Sequence, residues 1–169
     1  MMKKRKKKIR KAIIKDMENK IKIGVLVENK NKLLLIKELN SKDGKYYWNV
    51  VKGTFEQEKD KDFIQTAKRE CKEEIGVSVK INSLQGVMYL HRKNVTQFNF
   101  LASIQKGTPK IAKIEDQDER GENIIELRFF SRNEIKNMKK KEFMNERAFL
   151  ATRNWLKSII NNLDILSFM

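Results

Sequence analysis

The stretch RECKEEIG, residues 69–76, places three glutamates within five positions of a chain that has 38 basic and 22 acidic residues. In a helix, Glu70, Glu73 and Glu74 stand at i, i+3 and i+4, so their carboxylates share one face within a single turn. Like charges at this spacing repel by about 0.2–0.5 kcal/mol per pair on an open surface. Such a cluster, in a chain rich in lysine, indicates a site for a cation.

The residues before this stretch have the pattern of an amphipathic helix. Asp62 is a residue type that commonly caps a helix at its N-terminus. Apolar side chains recur on the face opposite the glutamates, at Phe63, Ala67, Cys71 and Ile75. Gly76 can adopt the left-handed conformation in which many helices end. We therefore predict a helix from about Asp62 to Gly76.

Short apolar runs on both sides of this helix predict a sheet. Two of them, Ile23–Val27 and Leu33–Ile36, flank a polar turn and predict a hairpin, and Tyr46–Gly53 predicts a third strand. Further strands are predicted at residues 77–81, 86–93, 96–105 and 124–130. The long charged connection over residues 106–123 is typical of a binding loop. With a C-terminal helix predicted from about Glu142 to Asn162, the pattern indicates an α+β domain whose mixed sheet is flanked by helices.

Length and composition exclude several classes of protein. The chain of 169 residues fits a single domain, and no apolar run approaches the roughly 18–20 residues that a membrane span requires. Cys71 is the only cysteine, which rules out an internal disulfide, and no secretion signal is visible, so we expect a cytoplasmic location. His91 is the only histidine, so a zinc site of His/Cys type cannot form within one chain. Any metal must therefore be held by oxygen.

The basic residues are concentrated at the start of the chain. Residues 1–11 contain eight basic and no acidic side chains, and the remainder still has 30 basic against 22 acidic residues. We expect residues 1–19 to form a flexible basic arm and residues 20–169 to form one domain. Such an arm is typical of proteins that bind RNA or another polyanion, and a solvated tail has the same composition.

The segment KGTFEQEKDKDFIQTAKRECKEEIGV, residues 52–77, resembles the signature of the Nudix hydrolases. That signature is glycine, five residues, glutamate, seven residues, and then Arg-Glu-apolar-x-Glu-Glu-x-Gly-apolar. Residues 69–77 match its second half at every position, with Cys71 in the first apolar position. The resemblance extends over most of residues 20–160 in the order of the elements. It implies a Nudix-like mixed β-sheet flanked by helices, an α/β/α sandwich.

The first half of the signature departs from this pattern. Gly53 lies two residues too early relative to Arg69, which indicates a two-residue insertion in the loop between Glu56 and Phe63. Counted from Gly53, the signature glutamate falls on Lys59. Either Glu58 or Asp60 could replace it, or the role could be vacant. We predict that Glu58 is the additional metal ligand.

The resemblance implies roles for individual side chains. Glu70, Glu73 and Glu74 would hold Mg²⁺ or Mn²⁺, and Glu70 has the alternative role of taking a proton from the attacking water. Arg69 would position a carboxylate through charge-assisted hydrogen bonds. A second base from a later loop is expected at one of three residues, Glu119, Glu122 or Glu126.

The resemblance also implies an activity. Metal-binding carboxylates in a basic chain favour chemistry on phosphates, because a metal screens anionic oxygens and polarises phosphorus. Lys52 and Gly53 would contact the substrate, which we predict to be a nucleoside diphosphate linked to another group and cleaved by metal-activated water. The basic arm favours a dinucleoside polyphosphate or a 5′-triphosphorylated or capped RNA end over a nucleotide sugar. The alternative is a Nudix-like module that binds a nucleotide or RNA with little turnover.

Overall fold

The computed structural model describes residues 19–159, 161, 163 and 166. The basic arm predicted over residues 1–19 therefore lies outside the described residues, except for Asn19. The described part contains seven strands: β1 (Lys20–Asn29), β2 (Lys32–Asn40), β3 (Lys45–Asn49), β4 (Val51–Thr54), β5 (Ser78–Leu90), β6 (Val95–Lys106) and β7 (Ile124–Ser131). It also contains four α-helices: α1 (Phe63–Ile75), α2 (Ile114–Arg120), α3 (Arg132–Asn137) and α4 (Glu146–Leu156).

The strands form one mixed sheet in the order β3-β2-β1-β6-β5. β1 runs parallel to β6, whereas the other pairs are antiparallel. Two strands pair with the edge of β1 opposite β6: β4 pairs with Lys22–Val25 and β2 pairs with Val27–Asn29. β7 pairs with β2. Because β4 reaches β1 directly, the residues that follow β4 are held close to the middle of the sheet.

Both faces of the sheet are buried. Ile23 and Val25 of β1 pack in one apolar core with the inner face of α1. Leu26 of the same strand packs in a second core, which includes Ile135 of α3 and Trp155 of α4. Since adjacent residues of a strand point to opposite faces, α1 covers one face of the sheet and α3 and α4 cover the other. The predicted α+β fold with an α/β/α sandwich is confirmed.

The predicted hairpin is also confirmed, with a turn of two residues. Lys30 and Asn31 connect β1 to β2, and both have positive φ angles, at 48° and 58°. Two-residue turns of this kind match the right-handed twist of the strands that they join. The hairpin thus places β2 beside the second half of β1.

Three strand predictions have different bounds in the structure. The single strand predicted over Tyr46–Gly53 is wrong, because the chain changes partner at Val50: β3 pairs with β2 and β4 pairs with β1. The two strands predicted at residues 77–81 and 86–93 form one long strand, β5. Its register against β6 shifts at three places, which allows so long a strand to bend along its neighbour.

The C-terminal half also contains helices with unpredicted bounds. The predicted C-terminal helix is shorter, because Asn145 caps α4 by accepting a 3.1 Å hydrogen bond from the backbone N–H of Ala148. Phe143 lies before this cap and bridges to Trp48. The connection over residues 106–123 is not a simple loop, since it contains α2. None of the helices in the described ranges is long and apolar enough to span a membrane.

Candidate active site

The glutamate stretch lies on α1, as predicted. Asp62 caps this helix by accepting a 2.7 Å hydrogen bond from the backbone N–H of Gln65. Gly76 ends it with a φ of 70°, a left-handed conformation that favours glycine. Cys71 is fully buried on the apolar face, and burial raises the pKa of its thiol well above the ordinary range. The thiol therefore packs in the core rather than acting as a nucleophile.

The polar face of α1 forms part of the wall of a cavity of about 560 Å³. Glu70 and Glu74 are almost fully buried, with 6% and 2% of their surface exposed, whereas the Glu73 side chain is 33% exposed. All three line the cavity together with Lys52 and Gly53 of β4. The fold therefore brings together the three helix glutamates and the two residues expected to contact the substrate.

Arg69 joins the carboxylates of this wall. Its guanidinium donates two hydrogen bonds to Asp60, at 2.9 and 2.8 Å, and one each to Glu70 at 2.8 Å and Glu73 at 3.0 Å. It also donates to the backbone carbonyl of Thr54 at 3.3 Å. The pKa of Arg69 is raised, chiefly by the hydrogen bonds with Asp60, so the guanidinium stays charged. Arg69 thus offsets part of the repulsion among the glutamates and orients two of them.

Gly53 lies directly against the carboxylate of Glu70. A Cβ atom added to Gly53 would stand 1.7 Å from Oε1 and 1.8 Å from Cδ of Glu70. Any side chain at this position would therefore displace the carboxylate. Gly53 is required here by close approach of the backbone, which keeps the Glu70 carboxylate at the cavity wall.

The backbone of β4 holds a second glutamate. The backbone N–H of Lys52 donates to Glu74 at 3.2 Å, while Nζ of Lys52 forms a 2.7 Å ion pair with Glu38 of β2. Glu38 also accepts a 2.7 Å hydrogen bond from Asn49. Burial lowers the pKa of Lys52, but Glu74 and Glu38 together outweigh burial and leave the pKa raised. Lys52 is therefore a charged donor at the cavity wall.

Burial raises the pKa of the two buried glutamates of α1. Desolvation raises the pKa of Glu70 to about 7, opposed by Arg69 and reinforced by Glu73 and Glu122. Desolvation also raises the pKa of Glu74 to about 8, reinforced by Glu70 and Glu122. Glu70, Glu73, Glu74 and Glu122 thus oppose one another's ionisation at one cavity wall, and a bound cation would relieve this repulsion.

The chemistry of these donors fits a hard divalent cation. Glu70, Glu73, Glu74 and Glu122 present carboxylate oxygens to one cavity, and such oxygens are the ligands that Mg²⁺ and Mn²⁺ prefer. Within the described part of the chain, no three histidine, cysteine, aspartate or glutamate side chains already form a metal-binding group. Glu70 and Glu73 are hydrogen-bonded to Arg69 instead, so binding of a cation requires their carboxylates to turn.

The loop between β4 and α1 corrects one prediction. Glu58 is exposed in a turn and does not line the cavity, so its assignment as a metal ligand is withdrawn. Asp60 is buried, with 4% of its surface exposed, and accepts hydrogen bonds from Arg69 and from the hydroxyl of Thr66 at 3.0 Å. The hydrogen bonds from Arg69 are the chief cause of the lowered pKa of Asp60. The loop therefore directs Glu58 outward and Asp60 inward, where Asp60 anchors Arg69.

Two of the three later glutamates reach the cavity. Glu119 of α2 and Glu122, which follows this helix, both line it. Arg120 pairs with Glu122 at 2.8 and 2.9 Å and also donates to the backbone carbonyl of Glu73 at 3.1 Å, which ties α2 to α1. Glu126 instead forms a 3.3 Å ion pair with a lysine of β2 and does not line the cavity.

A cationic part of the cavity was not predicted from the sequence. Lys22 of β1, Gln97 of β6 and Arg147 of α4 line the cavity together with the glutamates. For Lys22 a signal existed, because this lysine directly precedes the apolar run of a strand whose centre is buried on both faces. For Arg147 none existed, because its position depends on how α4 packs against the sheet.

Comparison with known proteins agrees with this geometry. The fold is similar to a NUDIX hydrolase from Nitrosomonas europaea, with a TM-score of 0.71 and 20% identity over 90% of this chain and 98% of that chain. It is similar to an ADP-ribose pyrophosphatase from Streptococcus suis, with a TM-score of 0.62 and 17% identity over 83% and 92% of the two chains. For a MutT NUDIX hydrolase from Burkholderia pseudomallei the TM-score is 0.61, with 17% identity over 81% and 98%.

The sequence itself matches a family model. No curated protein matches the chain. The model of the NUDIX domain, however, matches residues 18–152, which include the whole sheet and α1. The chain therefore belongs to the Nudix hydrolase family.

Proposed function

We propose that this Nudix hydrolase uses Mg²⁺ or Mn²⁺ to cleave a diphosphate that links a nucleoside to another group. The observation that carries the proposal is a single cavity lined by the signature glutamates, by Glu122 and by Lys52. The carboxylates suit the metal and the ammonium group of Lys52 suits the phosphates. Both requirements of pyrophosphate chemistry are therefore met in one place.

Glu70, Glu73 and Glu74 would hold the cation, with Glu122 beside them. A divalent cation, when bound, would neutralise phosphate charge and make an attacking water more acidic. Arg69, anchored by Asp60, would keep the carboxylate side chains oriented when they are not engaged by metal. The protein thus holds several carboxyl groups close together and oriented, so that a cation can bind them.

The reaction consumes one water molecule. The water oxygen forms a bond to one phosphorus, and the bond from that phosphorus to the bridging oxygen breaks. The bridging oxygen leaves with the other phosphate, while a water proton passes to a basic side chain and then to solvent. Glu70 is one candidate for this base, as the alternative to its role in holding the cation. Glu119 and Glu122 are further candidates, since both line the same cavity from outside α1.

Proteins of similar fold support a nucleotide-derived substrate. Their names include an ADP-ribose pyrophosphatase, an ADP compounds hydrolase and a UDP-X diphosphatase. In each name the substrate contains a nucleoside diphosphate. We extend this class to the present chain. The single cysteine is free and buried, which agrees with the reducing cytoplasm that we predict as its location.

RNA is a further proposed partner, bound through the basic arm of residues 1–19. Deleting residues 1–11 removes eight positive charges. If the arm binds RNA, the deletion should flatten the salt dependence of RNA binding, because fewer counterions are released. Hydrolysis of small nucleotides should hardly change. An unaltered salt slope would show that the arm does not hold RNA.

The activity is tested with a panel of nucleoside diphosphate derivatives in Mg²⁺ or Mn²⁺, with release of a nucleoside monophosphate as the readout. We expect turnover that EDTA abolishes and that Glu73→Gln greatly reduces. The matched control is Glu115→Gln, which removes an exposed carboxylate of α2 that does not line the cavity. Binding of a nucleotide without turnover would instead favour the alternative, a Nudix-like binding module.

A further inference from the structure

The cavity has a row of polar side chains on the sheet face covered by α4. The register of β1 places Lys22 opposite Thr54 of β4 on one side and opposite Gln97 of β6 on the other. Paired residues of adjacent strands project from the same face of a sheet, and Nζ of Lys22 donates a hydrogen bond to the Thr54 hydroxyl. Leu26 of β1 projects from this same face into the core beneath α4. Thr54, Lys22 and Gln97 therefore form a polar row at one end of a sheet face that is otherwise apolar.

A glycine makes room for the amides in this row. Gly24 is paired with Asn99, and a Cβ on Gly24 would stand 2.3 Å from Oδ1 of Asn99 and 2.9 Å from Nε2 of Gln97. Gln97 donates to Asn99 at 2.7 Å, and both side chains are buried. Nδ2 of Asn99 has no hydrogen-bond partner among the described residues. Buried amides are thus kept beside the cavity although apolar residues would pack there at lower cost.

Arg147 adds a guanidinium to this part of the cavity. It is half-buried at the start of α4, and no described residue forms an ion pair or a hydrogen bond with its side chain. The other half-buried arginines that the structure describes all donate to carboxylates or backbone carbonyls: Arg69, Arg132 and Arg153. A half-buried cation without a counter-ion is unfavourable, so a negative ligand at Arg147 would stabilise the protein.

Lys22 and Arg147 differ in how the glutamates of the cavity affect them. The pKa of Lys22 is lowered, first by burial and then by the neighbouring charges of Lys52 and Arg147, with Glu70 opposing them. The pKa of Arg147 is lowered by burial, with no carboxylate acting on it. Glu70 therefore acts on Lys22, whereas no carboxylate of the described residues acts on Arg147. An anion at Arg147 would meet less repulsion from the metal-binding face than an anion at Lys22.

We propose that Lys22 and Arg147, with Gln97, bind a phosphate that lies beyond the two phosphates joined by the cleaved bond. This inference rests on the proposed function and narrows its substrate to nucleotide derivatives with at least three consecutive phosphates. Ammonium, guanidinium and amide N–H groups are all donors, and a phosphate offers acceptor oxygens in several directions. Substrates with only two phosphates would leave this part of the cavity without a charged partner.

The first experiment compares diadenosine diphosphate, triphosphate and tetraphosphate as substrates. These compounds share their nucleosides and differ only in the number of phosphates. We expect Arg147→Gln to lower kcat/KM for the triphosphate and tetraphosphate roughly tenfold more than for the diphosphate, because a charge-assisted contact is lost only there. Arg147→Lys should recover part of the difference. The matched control is Lys141→Gln, which removes an exposed positive charge outside the cavity. An equal loss on all three substrates would overturn the proposal.

A second experiment does not depend on turnover. Binding of inorganic phosphate to the full chain is measured by calorimetry in EDTA, where the glutamates hold no metal and repel phosphate. We expect Arg147→Gln and Lys22→Gln to weaken phosphate binding, and Lys141→Gln, with the same change in net charge, to leave it intact. Equal weakening by all three variants would mean nonspecific attraction and would overturn the proposal. If phosphate binding depends on Arg147 while none of the three diadenosine compounds is hydrolysed, the proposed activity fails and the anion site stands.

Discussion

The two parts of the cavity are encoded in different ways. The carboxylates come from one continuous segment, since Glu70, Glu73 and Glu74 lie within a single turn of α1. The two cations of the proposed phosphate site come from distant segments, Lys22 from β1 and Arg147 from α4. Helical geometry alone brings the glutamates together, whereas sheet register and helix packing bring the cations together. The comparison teaches that a local motif can reveal a reaction, while the residues that select a substrate become visible only in the folded chain.

The largest expected effect comes from removing one of the α1 carboxylates. Glu74→Gln should lower turnover by about a hundredfold or more, because it removes a carboxylate ligand from the proposed metal site. The free energy of unfolding in EDTA at neutral pH should stay the same or rise, since the amide can still accept from the Lys52 N–H and no charge is buried. Steady-state kinetics and urea unfolding measure the two quantities. A variant that keeps its turnover, beside an equally active Glu115→Gln control, would contradict the metal role.

A somewhat smaller effect on turnover is expected from a substitution in β4, whose backbone lies against the Glu70 carboxylate. Gly53→Ala should lower turnover by roughly tenfold to a hundredfold, because the new methyl group occupies the position of the Glu70 carboxylate. The measurement is a double-mutant cycle with Glu70→Gln. If Gly53→Ala acts through Glu70, the double variant loses little more than Glu70→Gln alone. Fully additive losses would show that Gly53 has a separate role, such as contact with substrate.

The loop before α1 offers a direct comparison between Asp60, a buried carboxylate that positions Arg69, and Glu58, an exposed one. Asp60→Asn should lower turnover about tenfold and destabilise the fold by about 1–3 kcal/mol, since Arg69 loses its main charged partner in a buried site. Glu58→Gln is the matched control, and it should change neither quantity because Glu58 is exposed outside the cavity. Kinetics and thermal unfolding of both variants test this. The opposite ranking would restore Glu58 as the functional carboxylate of the loop.

The last expected effect is on stability rather than on turnover, and it concerns the pH dependence of the free energy of unfolding without metal. The pKa values of Glu70 and Glu74 are raised in the folded protein, to about 7 and about 8, from an ordinary value of 4.5. Between these limits the folded state binds more protons than the unfolded state, so the free energy of unfolding should fall as the pH rises from about 5 to about 8. Urea unfolding in EDTA across this range measures the slope. Glu74→Gln should flatten it, and an equally steep slope in that variant would show that other groups are responsible.

The sequence predicted the parts of the fold that depend on local patterns. The helix between Asp62 and Gly76 and the β1–β2 hairpin are confirmed, because capping residues, apolar spacing and a short polar turn act over a few residues. The strand over Tyr46–Gly53 was predicted as one element because its residue types are uniformly suited to a sheet. Its division at Val50 follows from a change of partner strand, which no local propensity can indicate.

The sequence by itself determined the acidic face of α1 and membership in its family, because both depend on residues spaced within a few turns of one helix. Tertiary structure alone decided that Asp60 rather than Glu58 anchors Arg69, because the path of the folded loop sets which of its side chains turns inward. It likewise decided that Lys22 and Arg147 share a cavity with the glutamates. Their proximity requires β1 to pair with β4 and β6 and requires α4 to cover that face of the sheet, and such long-range pairing leaves no periodic pattern in the chain.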